Sequence, residues 1–245
     1  MLTNRLEISR HTAYPEGGVP AIDYFNLGHP LRRFASGFAL RAREGQWRLF
    51  EEHFGSLLTK ELRVLDLGTT PDDSLPDSNL FARRLKGRVN LTLSSPEDCR
   101  AVATALGARY LIPEELGAEK FDLVVSIATL EHCGGPAAQA AFARGIEARA
   151  PYFFVTTPYR WFPLEFHTFL PLLHWLPRGA HRFLLRKLFR DSFWSREENL
   201  HLLGAKEAKK LFSTKTPELF QTFSYLFALP SNLILLRSPR TIDTK

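Results

Sequence analysis

An acidic residue and a glycine close the apolar run in Arg63-Val-Leu-Asp-Leu-Gly-Thr-Thr-Pro-Asp72, and the groups best placed to do chemistry gather there. Val64 and Leu65 suit a buried strand, and Asp66 falls where that strand ends. Gly68 has no β-carbon, so ligand atoms can approach its main chain closely. A strand-turn-helix unit of this kind lays a nucleotide-like cofactor against its backbone, with Asp66, Gly68, Thr69 and Thr70 as candidate contacts. A dinucleotide fingerprint reads G-x-G-x-x-G, whereas Thr70 and Pro71 occupy the later glycine places. A buried strand ending in an ordinary loop is the competing interpretation.

Two histidines could exchange a proton at such a site. His132 follows Glu131 just after the apolar run Phe121–Ile127; it is either a base or a helix-start histidine bonded to backbone. His167 lies in Glu165-Phe-His-Thr168 among aromatics, where packing is a commoner role than catalysis. His174 reads as buried support and Asp122 as the start of a strand, away from the chemistry. The two cysteines, Cys99 and Cys133, make neither a disulfide framework nor a metal site, and no metal is expected.

The elements that must position these groups alternate. A helical pattern over Gly37–Leu58 brings Trp47, Phe50, Phe54 and Leu57 to one face and leaves Arg41, Arg43, Glu51 and Glu52 elsewhere. Strands are predicted at Val64–Leu65, Val89–Leu93, Arg109–Ile112, Phe121–Ile127 and Tyr152–Thr156. Helices are predicted between them over Asp77–Lys86, Pro96–Gly107 and Pro136–Arg149, the last with proline at its first position. This order gives a doubly wound, mostly parallel α/β sheet. Ala205–Phe212 reads as a helix, and Phe223–Leu229 with Leu233–Leu236 as an antiparallel hairpin turning at Pro230-Ser231-Asn232. Residues 1–35, rich in Gly, Pro and Arg, read as an extended arm before one domain over 36–240.

The chain has 245 residues, enough for one sizeable domain, with a formal net charge of +6 at pH 7. Many of the excess cations fall in Arg178, Arg182, Arg186, Lys187 and Arg190, opposite Phe183, Leu184, Leu188 and Phe189. That basic amphipathic stretch is either a lid over an apolar pocket or a peripheral membrane contact through residues 178–190. No nucleic-acid motif accompanies it, and no nucleic-acid partner is expected. No stretch approaches the roughly 18 apolar residues of a spanning helix. Cysteine usage and the absence of a signal-like start lead to an expected cytoplasmic setting.

Three segments together resemble the class I S-adenosylmethionine-dependent methyltransferases, in particular their type 11-like group. They are Val64–Asp72 with Pro76–Asn79 behind it, Phe121-Asp-Leu-Val-Val-Ser-Ile-Ala-Thr-Leu-Glu-His132, and Thr157–Pro177. The resemblance runs from about Arg41 to Ser238. It implies a Rossmann-like sheet of seven strands, S-adenosyl-L-methionine as cofactor, and transfer of a methyl group to a small-molecule or lipid-like acceptor. Asp66 and Gly68 would then flank the methionine end, and Ser126, Ile127 and Leu130 would line the other side. Ser94 and Glu97 would lie toward the ribose, and residues 158–200 would form a lid-like insertion. His132 and His167 are the catalytic candidates, needed only where the acceptor is protonated. Thr70 and Asp72 stand where the family carries glycines, Tyr159 where it often carries asparagine, and Gly204 where a serine caps a helix. A domain of this fold that binds without turnover is the alternative.

Overall fold

The computed structural model describes residues 30–188, 193–212, 218–223 and 229–239, so most of the expected N-terminal arm lies outside the described residues. Its first element, helix α1 (Pro30–Phe54), begins seven positions before the expected Gly37. Pro30 explains the early start, since proline at a first helical position lacks only an N–H that would be unbonded anyway. The apolar face of α1 is aromatic. Trp47 stacks on Phe50 at 5.0 Å and Phe50 on Phe54 at 5.1 Å, and Phe50 meets the edge of Phe154 at 5.4 Å.

Strand β1 (Arg63–Leu67) is followed by α2 (Leu80–Leu85), β2 (Asn90–Ser94), α3 (Arg100–Leu106) and β3 (Arg109–Leu111). Then come β4 (Leu123–Ile127), α4 (Pro136–Arg149) and β5 (Tyr152–Pro158). The short pair β6 (Leu164–Glu165) and β7 (Leu170–Pro171) and helix α5 (Arg178–Leu188) form the insertion. Helix α6 (Ala205–Leu211) and strands β8 (Glu218–Phe223) and β9 (Pro230–Arg237) complete the chain. Gly107 ends α3 in the left-handed region at φ 65°, with its N–H bonded back to the helix.

Seven strands form one sheet in the order β3-β2-β1-β4-β5-β9-β8. The first five are mutually parallel; β9 runs antiparallel to both β5 and β8. The hairpin expectation is corrected in register. Pro230-Ser231-Asn232 is not the turn but the start of β9, and the outer arm is Glu218–Phe223. Proline tolerates a first strand position because no ladder bond from its nitrogen is needed there.

Both faces of the sheet are covered, as a parallel sheet requires. On one face Val64, Leu91, Leu93, Val125 and Phe154 meet α1, α2 and α3; on the other Leu65, Leu67, Val124 and Phe153 meet α4 and α6. Each such fully buried large side chain contributes about 1.5–3 kcal/mol. The insertion has a small core of its own, Leu185 with Trp194, Leu200 and Leu202.

Candidate active site

The strand order reverses direction at β1 and β4, so the crevice for a ligand lies beyond their carboxyl ends. Asp66 stands there at 7% exposure, accepting a 3.0 Å hydrogen bond from Thr69 Oγ1. Burial pushes its carboxyl up to about 6, against the Thr69 bond and the Arg43 charge. Arg43, expected only off the apolar face of α1, is half-buried, pairs with Asp77 at 3.1 Å, and its charge acts on both Asp66 and Glu131.

Gly68 adopts φ 100°, and its N–H donates to Ser94 O at 2.9 Å, joining the turn to β2. Its open face is not left to a ligand: a β-carbon there would lie 1.9 Å from Thr129 Oγ1. Thr129 Oγ1 donates to Leu67 O at 3.1 Å, and Ser126 Oγ to the same carbonyl at 3.0 Å, so the loop after β4 is tied down on the end of β1. Thr70 is held through its backbone by the Asn79 side chain, which accepts from its N–H at 3.1 Å and donates to its carbonyl at 2.9 Å. Ile127 is half-buried, whereas the Leu130 side chain is fully buried in the core beneath α4.

On β2 the register partner of Asp66 is Leu93, fully buried and apolar. Ser94 is also fully buried, and its hydroxyl has no hydrogen-bond partner among the described residues. Glu97, half-buried, has its carboxyl raised by burial. Cys99 links the two loops by donating to Thr69 O at 3.3 Å; burial pushes its thiol up to about 12, helped by the Glu97 and Asp66 charges. These residues fit the implied cofactor best at its amino-acid end. There the Asp66 carboxyl, short of compensating charge, suits an ammonium group. At the nucleoside end the unpartnered Ser94 hydroxyl is a polar atom awaiting a partner, beside an apolar Leu93.

The two candidate histidines come together. His132 closes the turn Leu130–His132 after β4, and His167 sits between β6 and β7. Their Nε2 atoms face each other at 3.2 Å with the rings at 80°. His132 Nδ1 lies 2.8 Å from Asn199 O, and a carbonyl only accepts, so that nitrogen carries the proton and Nε2 offers a lone pair. His167 Nε2 must then donate, while its Nδ1 donates to Glu165 Oε1 at 2.5 Å. His167 therefore bears both protons, an imidazolium held by a carboxylate.

Glu165 also accepts from His167 N–H at 2.8 Å and from the N–H and Oγ1 of Thr168 at 2.7 Å each. Burial opposes its ionisation, but the His167 charge and these bonds outweigh it and hold the carboxyl at about 2. Burial and then the His167 charge push the His132 imidazole far below its usual range, and a side chain still 31% open tempers the size of that shift. Glu131, 1% exposed, has Oε1 3.8 Å from His132 Nε2 and Oε2 accepting from Thr157 Oγ1 at 2.9 Å. Burial pushes its carboxyl up to about 7, against the His167 charge and the Thr157 bond.

Glu131, Glu165 and Arg43 were not singled out as functional from the sequence, and Thr129 entered only within the stretch Ser126–Leu130 expected to line the cofactor. The pairing of Glu165 with His167 two residues on was the available signal. The insertion carrying His167 is anchored, since Gln139 Nε2 donates to Leu130 O at 3.0 Å and His201 O at 2.9 Å, and His201 N–H to Glu131 O at 2.8 Å. His174 is the buried support expected, donating to Phe162 O at 2.8 Å.

No family model and no curated protein matches the chain. Among solved structures it is similar to the N-methyltransferase NodS from Bradyrhizobium japonicum WM9, in complex with S-adenosyl-L-homocysteine. That match has a TM-score of 0.50 and 14% identity over 81% of this chain and 87% of that one. Magnesium protoporphyrin IX methyltransferase (ChlM) from Synechocystis PCC 6803, with bound S-adenosyl-L-homocysteine, matches at TM-score 0.51 and 12% identity over 84% and 86%. A Rhodobacter sphaeroides protein named for zinc-dependent alcohol dehydrogenases matches at 0.51 and 13% over 78% and 88%. At such identities the likeness is one of architecture. The chain has the Rossmann-like fold of the class I S-adenosylmethionine-dependent methyltransferases.

Proposed function

We propose that this chain is a class I methyltransferase that uses S-adenosyl-L-methionine to methylate a small-molecule or lipid-like acceptor. The observation that carries the reading is the buried Asp66 carboxyl at the end of β1, at the point where the sheet reverses order. A nicotinamide oxidoreductase would place a glycine-rich turn there, and Thr70-Pro71 does not supply one. When bound, the cofactor supplies a sulfonium methyl group open to in-line displacement. The chain's part is to hold the acceptor in line and to take its proton. Asp66 binds the ammonium of the methionine end, with Thr69, Thr70 and Gly68 shaping the loop around it. A Glu131 carboxyl titrating near 7 is matched to accepting an acceptor proton at neutral pH, with His132 and His167 beside it.

The insertion supports an apolar or membrane-borne acceptor. Trp161, Trp175, Phe183 and Leu188 are exposed on it, with Arg186 and Lys187 exposed beside the last two. No helix among the described residues is long and apolar enough to cross a membrane, so the contact is peripheral. A reducing, cytoplasmic setting belongs to the same reading; Cys99 and Cys133 are both buried free thiols.

A second reading, binding without turnover, is favoured by Thr129 filling the face of Gly68 and by Leu93 beside Asp66. Calorimetry with S-adenosylmethionine and S-adenosylhomocysteine, on wild type and Asp66→Asn, tests both. Binding to wild type, weakened at least about tenfold by the substitution, supports the cofactor assignment. Heatless titrations with both compounds overturn it. Binding without methylation of any small or lipid acceptor leaves the second reading.

A further inference from the structure

We infer that Glu131, His132 and His167 form a binding site for one divalent first-row metal ion of the zinc type. Their ligand atoms, one from each residue, all lie within 4.8 Å of one another. An imidazole nitrogen binds such an ion at about 2.0–2.1 Å, so adjacent ligands lie about 3.0–3.4 Å apart. The two Nε2 atoms, at 3.2 Å, already hold that spacing. The carboxylate Oε1 lies 3.8 Å from His132 Nε2, and with all ligand atoms within 4.8 Å of one another it must close in by up to about 1.5 Å to join them.

The atoms behind the ligands are set for the same task. A metal-bound histidine commonly donates its other N–H to a carboxylate or a backbone carbonyl, which fixes the ring and its tautomer. Both versions occur here: His167 Nδ1 against Glu165 Oε1 at 2.5 Å, and His132 Nδ1 against Asn199 O at 2.8 Å. Trp194, 4.8 Å from the His167 ring and 5.9 Å from the His132 ring, walls the site with apolar surface.

The charges close as well. Without metal, a proton sits between the two Nε2 atoms and makes His167 cationic. Metal binding sends that proton, and any held by the raised Glu131 carboxyl, to solvent, and leaves two neutral imidazoles and the carboxylates of Glu131 and Glu165 around a dipositive ion. Two imidazoles and one carboxylate suit zinc, cobalt, iron or nickel better than calcium or magnesium. With three protein ligands a coordination position stays open, as in catalytic sites. The metal assignment stands on this geometry alone; with the ion bound, Glu131 is a ligand and no longer the base, and polarisation of an acceptor oxygen at the open position rests on the function proposed above.

The test is titration of the purified, chelator-stripped chain with Co2+, followed by its visible d–d absorption and by the proton released. The expected result is one equivalent bound per chain, tighter as pH rises because a proton leaves. The His132→Ala/His167→Ala variant should lose the spectrum. Glu165→Gln, which keeps all three ligands, should weaken affinity about 10–100-fold, measured where its melting transition shows the variant folded. Absence of uptake by wild type overturns the inference, as does uptake equal in wild type and both variants. Neither readout involves S-adenosylmethionine, so failed methylation leaves the metal result standing, and the reverse holds too.

Discussion

Thr129 occupies the space that a side chain at position 68 would need: a β-carbon added to Gly68 would lie 1.9 Å from Thr129 Oγ1. The glycine thus serves the closure of the β4 loop onto β1, as well as the positive φ of 100° at the turn. Gly68→Ala should cost about 2–4 kcal/mol, from overpacking and left-handed strain together. Urea unfolding measures it. Thr129→Gly forfeits the Thr129–Leu67 bond in either background but relieves the clash only in Gly68→Ala, so it should cost less there than in wild type. If it costs as much in both, Thr129 is not what the glycine accommodates.

Asp66 gives the unliganded protein an unusual pH dependence. Its carboxyl is raised from 3.8 to about 6 in the fold, so between those values the fold holds a proton that the unfolded chain has released. Stability therefore falls as pH rises through that window, by roughly 3 kcal/mol at 1.36 kcal/mol per unit. Asp66→Asn should flatten this slope and raise the melting temperature above pH 6, while weakening S-adenosylmethionine binding. Parallel pH–stability curves for wild type and variant would show that burial of Asp66 is not the source.

Much of the sheet was readable because β1, β4 and β5 are short, largely apolar runs between turn residues, and five parallel strands leave few topologies. The outer strand was misplaced for a related reason. Glu218–Phe223 breaks its apolar residues with Glu218 and Gln221-Thr222 and shows no clean period, whereas the apolar run after it looked more strand-like. Asp66 could be placed from its position at a strand end alone. Arg43 could not, since the helical pattern sets it only off the apolar face and the crevice beside α1 alone gives it a target. The meeting of His132 with His167 across 35 residues depends on how the insertion folds back, which no local pattern encodes.

Glu165 anchors that fold-back. Its carboxyl is lowered from 4.5 to about 2, so its contribution is complete above 4.5 and is lost as pH falls through about 2. Removing one partner of a buried ion pair costs about 3–5 kcal/mol, and Glu165→Ala should lose that much at pH 7. The gap between variant and wild type should narrow markedly toward pH 2, where the wild-type carboxyl is itself becoming protonated. A loss that stays constant from pH 7 to pH 2 would mean that packing, not the charge on His167, is what Glu165 supplies.

Helix α5 carries two basic residues tied into ion pairs, Arg178 and Arg182, and two that are exposed, Arg186 and Lys187. The amphipathic pattern set Phe183 and Leu188 on an apolar face, but it is Leu185 that is buried, while Phe183 is 52% and Leu188 67% exposed. Arg178 and Arg182 turn toward Glu207 at 2.8 Å and Glu197 at 3.1 Å. Arg182→Ala should therefore lower the melting temperature slightly, since a part-exposed pair is worth at most about 1 kcal/mol. Phe183→Ser/Leu188→Ser and Arg186→Ala/Lys187→Ala should leave melting unchanged but reduce co-sedimentation with anionic phosphatidylglycerol vesicles. The basic pair should act only at low salt, at about 1 kcal/mol per residue. Equal recovery of wild type and both pairs would remove the membrane contact and leave the exposed aromatics to the acceptor itself.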